Sequence, residues 1–242
     1  MMACKNTEER RVMGKVSASL MCADLMNLEK EIRELEQCNV DYLHLDVMDG
    51  NFVPNITLGL EVVRSISEVS DIPRDIHLLV NHPERYPEKL ELKQSDIVTF
   101  HFESAVGVYD TMDKVKNLNL VIDTYKKWGC KVGLVINPET PISVIEPFVN
   151  KLDLVNIMMI HPGFAGLPII NGIMDKISDM REFLDKREAE HIAIEVDGNV
   201  SFEHARIMKT NGGDIFVAGT SSLFKKDMSK KEAITRLRQS IL

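Results

Sequence analysis

Residues 42–50 read YLHLDVMDG, and this stretch decides the fold. In an extended strand, alternate side chains face opposite sides, so the leucines and the valine share one face. His44, Asp46 and Met48 share the other face. An aliphatic face suits packing against helices, and the polar face must then point into the interior of a closed sheet. The stretch predicts one strand of a parallel barrel whose interior is polar near the strand's carboxyl end.

Similar short apolar runs recur every ~20–40 residues, with amphipathic stretches between them. Asp24 and Ser201 stand before two of these stretches as candidate N-caps. The alternation predicts a (β/α)8 TIM barrel with eight strand–helix pairs. A doubly wound open sheet is the alternative, but no G-x-G-x-x-G follows the first strand. The predicted strands are 15–20, 41–47, 74–79, 96–101, 131–136, 154–160, 191–196 and 214–218.

The 242 residues are enough for one domain with a large core. No linker, low-complexity tract or tandem repeat divides the chain. We therefore expect a single domain over 1–242, with residues 1–14 as an N-terminal extension. A long polar connection, 103–119, follows the fourth strand and is expected to border the active site or an interface.

The composition limits which partners the protein can bind and where it can be located. With 29 basic and 37 acidic residues the formal net charge is −8, which argues against a nucleic-acid partner. No apolar run approaches the ~20 residues of a membrane span, and residues 1–15 lack the apolar core of a secretory signal. We expect a cytoplasmic protein that binds no membrane. Its cysteines are far apart, which favours reduced thiols: Cys4, Cys22, Cys38 and Cys130.

Polar side chains recur on the inner faces of other strands. His77 lies on the inner face of the third strand, and Glu195 and Asp197 on that of the seventh. Because barrel active sites form at the carboxyl ends of the strands, two imidazoles and two carboxylates should converge there: His44, Asp46, His77 and Asp197. Buried carboxylates need a compensating cation. Nitrogen and oxygen ligands without thiolate suit one divalent ion, with zinc, iron, manganese and cobalt all open.

Two alternatives exist for these polar residues. They could be hydrogen-bonded groups of the core, or the ligands of a closed structural metal site. Their convergence at the open mouth of the barrel favours a reactive site. His101 suits either the pocket wall or a position behind a ligand. No role is predicted for His82, His191 and His204.

Three glycine-containing loops follow the last three predicted strands, at 161–166, 197–199 and 218–222. Glycine lets backbone N–H groups converge on an anion, and the N-terminus of a following helix adds positive potential. This corner of a barrel is a frequent phosphate site. The sequence predicts a substrate with a phosphate at one end and its reactive carbons over the metal.

Short motifs stand in order along the chain: SASL (17–20), HLDVMDG (44–50), FVPN (52–55), HLLV (77–80), NPETP (137–141), PGFAG (162–166) and EVDG (195–198). From about residue 16 to residue 224 the sequence resembles the ribulose-phosphate 3-epimerase family. The resemblance implies a ribulose-phosphate-binding type of barrel, and a metal-dependent isomerase that needs no organic cofactor and is commonly a homo-oligomer. Segments 19–25, 137–141 and 219–224 are more similar to allulose-6-phosphate 3-epimerases than to the pentulose enzymes. The expected substrates are therefore D-allulose 6-phosphate and D-ribulose 5-phosphate.

The resemblance also implies roles for individual residues. His44, Asp46, His77 and Asp197 would bind the metal. One of the two aspartates removes the C3 proton and the other returns a proton from the opposite face, while the metal stabilises the enediolate. The expected substrate contacts are Ser19, Met48, Met158, Gly163, Ala165 and Gly166 with the sugar, and the backbone of Gly198, Asn199, Gly219 and Thr220 with the phosphate.

Several positions depart from the family pattern without removing a ligand or a catalytic carboxylate: Asn51, Leu79, His161, Leu167 and Asn199. These changes bear on substrate preference and loop closure. Two other functions stay open. Decarboxylases and aldolases on similar barrels use an Asp-x-Lys-x-x-Asp cluster, and the second strand has no such lysine. A sugar-phosphate-binding barrel without turnover would need no metal.

Overall fold

The computed structural model describes residues 13–104 and 113–242. Eight parallel strands pair in sequence order, and the last pairs with the first, which confirms the predicted (β/α)8 barrel. The predicted strand bounds differ from the observed ones by two residues at most. The strands are β1 Lys15–Ser19, β2 Tyr42–Met48, β3 Arg74–Leu79, β4 Ile97–His101, β5 Lys131–Ile136, β6 Leu154–Met158, β7 Ala193–Asp197 and β8 Ile215–Ala218.

The α-helices cover the outside of the barrel: α1 Leu28–Gln37, α2 Leu60–Val69, α3 Lys114–Lys126, α4 Ile173–Asp185, α5 Phe202–Thr210 and α6 Lys230–Ser240. Ser201 caps α5, because its side chain accepts a hydrogen bond from the backbone N–H of His204. Asp24 instead caps a 3₁₀ turn, Leu25–Asn27, so the first α-helix begins later than expected. Among the described residues, the helices are too short or too polar to cross a membrane.

The expectation of eight strand–helix pairs is wrong in two places. The β3–β4 connection contains only 3₁₀ turns, Pro83–Arg85 and Pro87–Lys89, and the β5–β6 connection contains the 3₁₀ helix Ile142–Phe148. Proline lacks a backbone N–H and clashes with the preceding helical turn. Pro87 therefore prevents the turn that begins at Pro83 from continuing as an α-helix, and Pro147 lies inside Ile142–Phe148.

The polar connection predicted over 103–119 is also shorter than expected. Helix α3 begins at Lys114, where the Asp113 side chain accepts from the N–H of Lys116. Its first turn is polar in sequence, which concealed the helix. Residues 105–112 lie outside the described part of the chain. So do residues 1–12, which include Cys4 and most of the expected N-terminal extension.

A buried arginine ties β3 to the helix-free connection that follows it. Arg74 is 1% exposed, and its Nη2 lies 2.5 Å from Oδ2 of Asp96, which is equally buried. The guanidinium also donates to the carbonyls of Val63, Leu90 and Glu91. The bonds to Leu90 and Glu91 satisfy carbonyls of the helix-free connection, and the bond to Val63 joins the same guanidinium to helix α2.

The barrel interior changes from apolar to polar along the strands. At the amino end, the first residues of the even-numbered strands form an apolar cluster: Tyr42, Ile97, Leu154 and Ile215. In β5, a Cβ on Gly133 would lie 2.6 Å from Leu154 atoms, so glycine leaves room for this cluster. The polar side chains lie toward the carboxyl end, where the site forms.

Candidate active site

The two imidazoles and two carboxylates expected at the mouth of the barrel lie together. His44 and Asp46 come from β2, His77 from β3 and Asp197 from the end of β7. One ligand atom from each residue lies within 4.8 Å of the other three. Oδ1 of Asp46 is 3.2 Å from both Nε2 of His44 and Nδ1 of His77. Oδ2 of Asp197 is 3.5 Å and 3.4 Å from the same nitrogens.

The charges at this cluster are mutually dependent. Burial disfavours the charged forms, but the carboxylates of Asp46 and Asp75 outweigh it and raise the pKa of His44 well above its ordinary value. Burial likewise opposes ionisation of Asp46 and Asp197, yet both imidazoles lower the pKa of each carboxyl. The two carboxyls therefore ionise more readily than an ordinary aspartate while the imidazoles carry protons. Such a buried, anionic N/O donor set fits a divalent ion, which would replace the protons on the imidazoles.

A third histidine, His101, lies behind the His77 ring. Nε2 of His77 is 2.9 Å from Nε2 of His101, whose Nδ1 is 3.3 Å from Oε2 of Glu103. Burial and the charge of His77 lower the pKa of His101 to about 4, so His101 is neutral. Burial opposes ionisation of Glu103, but hydrogen bonds, with His101 first, lower its pKa to about 2. Of the two positions open for His101, the structure shows the one behind the ligand.

A cavity opens above the cluster. Asp46, His77 and Asp197 line it, while His44 is completely buried beneath them. Oγ of Ser19 donates to Oδ2 of Asp46 over 3.3 Å. The other residues expected to contact sugar or phosphate also line this cavity: Met48, Met158, Gly163, Ala165, Gly166, Gly198, Asn199, Gly219 and Thr220.

Two asparagines hold the glycine loop 163–167 at its ends. Nδ2 of Asn55 donates to the carbonyl of Gly163, and Nδ2 of Asn199 to that of Leu167, each over 2.8 Å. Asn199 has a φ of 50°, a left-handed conformation that asparagine tolerates better than most residues. It follows Gly198, whose φ is 113°. The loop is thereby attached to the loops that follow β2 and β7.

Four of the five departures from the family pattern fall in two environments. Leu79 packs beside Met48 and lines the cavity, and Leu167 packs against Met158, another lining residue. The exposed ones are Asn51 and His161. None of the four interrupts the cluster of imidazoles and carboxylates.

Residues 15–224 match the family described as the Ribulose-phosphate 3 epimerase family. The chain belongs to the ribulose-phosphate 3-epimerase family. Ribulose-phosphate 3-epimerase of Bacillus subtilis is 36% identical over 228 residues, covering 94% of this chain and 100% of that protein. Ribulose-5-phosphate-3-epimerase, chloroplastic, of Arabidopsis thaliana is 36% identical over 227 residues, covering 93% and 76%.

Solved structures with lower identity share the barrel. KGPDC from Streptococcus mutans superposes with a TM-score of 0.65 at 10% identity, covering 95% of this chain and 97% of that one. Thiamine phosphate pyrophosphorylase from Pyrococcus furiosus gives 0.62 at 10% identity, with 96% of each chain covered. These likenesses show the fold alone. Membership of the epimerase family makes the chain an isomerase acting on carbohydrates.

Two residues near the site were not predicted from the sequence. Asp75 is fully buried, and its Oδ2 lies 2.7 Å from Nδ1 of His44. Alternation along the third strand places Asp75 on the same face as His77, so a signal was present. Cys22 lines the cavity from the 3₁₀ turn Leu20–Cys22 after β1. A single turn has no periodicity that could have indicated it.

Proposed function

We propose that this member of the family inverts C3 of a ketose phosphate, with D-ribulose 5-phosphate as substrate. One observation carries the proposal: two carboxylates and two imidazoles share one centre at the floor of a cavity whose rim is built from glycine loops. Inversion beside a ketone requires proton transfer on two faces of one carbon, and two carboxylates at one centre suit that requirement.

The proposed cofactor is one divalent ion, zinc first, held by His44, Asp46, His77 and Asp197. Iron, manganese and cobalt suit the same donors. When bound, the ion supplies Lewis acidity to the oxygens on C2 and C3 of the sugar and so makes the C3 hydrogen more acidic. No organic cofactor is part of the proposal.

The proposed acid and base are Asp46 and Asp197. Oδ1 of Asp46 faces both imidazoles, while its Oδ2 meets the Ser19 hydroxyl at the cavity wall. One carboxylate removes the proton from C3. The other carboxyl carries a proton of its own and delivers that proton to the opposite face of C3. The two exchange roles in the reverse direction, so substrate and product have the same composition.

The remaining contacts hold the substrate. Ser19 contacts the sugar, and Met48 and Met158 form the apolar floor. Gly163, Ala165 and Gly166 cover the substrate from the loop above. The backbone of Gly198, Asn199, Gly219 and Thr220 binds the phosphate, where the positive end of α5 lies nearby. A homo-oligomer in the cytoplasm is part of the same proposal.

D-Allulose 6-phosphate is the second candidate substrate, favoured by the motifs at 19–25 and 219–224. The test incubates the metal-loaded enzyme with each sugar phosphate in D₂O and follows deuterium uptake at C3 by NMR. Uptake at C3 supports the proposal, and the faster of the two sugars identifies the preferred substrate. The Asp197→Asn variant, with folding checked by circular dichroism, should show no uptake. A metal-loaded wild type that labels neither sugar refutes the proposal in favour of a binding barrel.

A further inference from the structure

Beneath the site lies a buried cluster of two acidic residues and one serine, which takes no part in the proposed proton transfers. Asp75 on β3 and Glu195 on β7 are fully buried, as is Ser17 on β1, and none of the three lines the cavity. Two carboxyl groups in a barrel interior are costly unless they are hydrogen-bonded or paired. The presence of these two carboxyl groups in the barrel interior therefore needs a functional explanation.

Three side chains lie beside Asp75. Its Oδ2 lies 2.7 Å from Nδ1 of His44 and accepts from Oγ of Ser17, also over 2.7 Å. A carboxyl oxygen of Glu195 lies within 4.8 Å of ligand atoms of both Asp75 and His44. Asp75 is therefore hydrogen-bonded to side chains of two different strands, with the Glu195 carboxyl group beside it.

These bonds determine which nitrogen of His44 is available to a ligand. Because Asp75 only accepts, Nδ1 of His44 must carry the proton in this contact. The other nitrogen, Nε2, is then the one with a free lone pair in the neutral ring, and it is the atom that faces Asp46 and Asp197. A rotated ring or the other tautomer would direct an N–H group at the centre instead.

We propose that Asp75, held by the hydrogen bond from Ser17, is the positioning residue that fixes the tautomer and ring orientation of His44 so that Nε2 binds the metal. The inference rests on the proposed function for its metal centre. It goes beyond that function by assigning a role to the acidic group beneath the site. Partners of this kind orient ligating histidines and commonly change metal affinity ~10–100-fold when removed.

The affinity test uses Zn²⁺ alone, titrated into metal-free protein by calorimetry. Asp75→Ala should weaken Zn²⁺ binding ~10–100-fold, and Asp75→Asn, whose carbonyl still accepts from Nδ1–H, should weaken it less. The matched control is Thr99→Val, because Thr99 is a buried side chain of the barrel interior whose hydroxyl lacks a partner among the described residues. It should bind Zn²⁺ like the wild type. Wild-type affinity in Asp75→Ala overturns the proposal.

A second measurement keeps the proposal testable if Asp75→Ala does not fold. In zinc-loaded wild type, ¹⁵N NMR of the histidine side chains should show His44 protonated at Nδ1, with a slowly exchanging, hydrogen-bonded proton. Protonation at Nε2 overturns the proposal. Both readouts need zinc and no sugar, so a wild type that fails to label C3 refutes the proposed function without altering either result.

Discussion

Substituting Gly198 by alanine tests the backbone of the loop that joins Asp197 to the proposed phosphate-binding residues. Gly198 directly follows Asp197 and has a φ of 113°, which L-residues rarely adopt. A Cβ at this position would lie 2.6 Å from Cγ1 of Ile160. One methyl group therefore introduces both backbone strain and a steric clash.

The magnitude follows from these two effects. Backbone strain in this region costs ~1–3 kcal/mol, and overpacking a close-packed site costs a further ~1–3 kcal/mol. Gly198→Ala should thus lower the free energy of unfolding by ~2–6 kcal/mol, out of the ~5–15 kcal/mol typical of a domain. Gly129→Ala is the control, since Gly129 has a φ of 78° but its Cβ would meet only Gln94, at 3.4 Å. Its cost should be strain alone, ~1–2 kcal/mol.

Urea unfolding followed by circular dichroism measures both variants against the wild type. Gly198→Ala should lose more free energy of unfolding than Gly129→Ala. Folded Gly198→Ala should also have a higher KM for the sugar phosphate, because the loop beside the proposed phosphate site must shift. Equal losses in the two variants would show that the contact with Ile160 does not govern this loop.

Three further predictions concern other parts of the molecule. Arg74→Met leaves the buried Asp96 carboxylate without its partner and should cost ~3–5 kcal/mol of stability in urea; an unchanged unfolding midpoint contradicts this. Zn²⁺ binding should strengthen as the pH rises from about 6.5 through the raised pKa of His44, because a proton competes with the ion for Nε2. Above that pKa the affinity should level off. A Zn²⁺ affinity that calorimetry finds independent of pH speaks against His44 as a ligand. Asn199→Gly removes the hydrogen bond to Leu167, so amide hydrogen exchange across 163–167 should accelerate, and unchanged exchange would assign the loop's order to other contacts.

The sequence was sufficient for the strands and for the direction of their side chains. The recurring short apolar runs predict the eight strands, and alternation within a strand predicts the inward direction of His44, Asp46, His77 and Asp197, because a strand leaves each side chain only two directions. Alternation says nothing about the route of the connections. Prolines replaced two expected helices with 3₁₀ turns, and a polar first turn concealed the start of α3.

The polar contacts beneath the site were harder to predict for a different reason. Asp75 could be placed on the inner face from its position alone. Its contact with His44 depends on how far neighbouring strands are shifted along one another, and the structure pairs the two residues directly in the β2–β3 ladder. Likewise, the hydrogen bond from Asn199 to Leu167 joins two loops whose separation in space has no periodic signal.

Metal content of the purified protein, measured by mass spectrometry, and C3 deuterium uptake together test whether Asp46, Asp197 and the two imidazoles hold a catalytic metal ion. We expect one divalent ion per wild-type chain, loss of uptake after chelation, recovery when Zn²⁺ or Mn²⁺ is returned, and much weaker metal retention in Asp46→Asn. Full uptake at C3 by a chain stripped of metal would contradict this expectation.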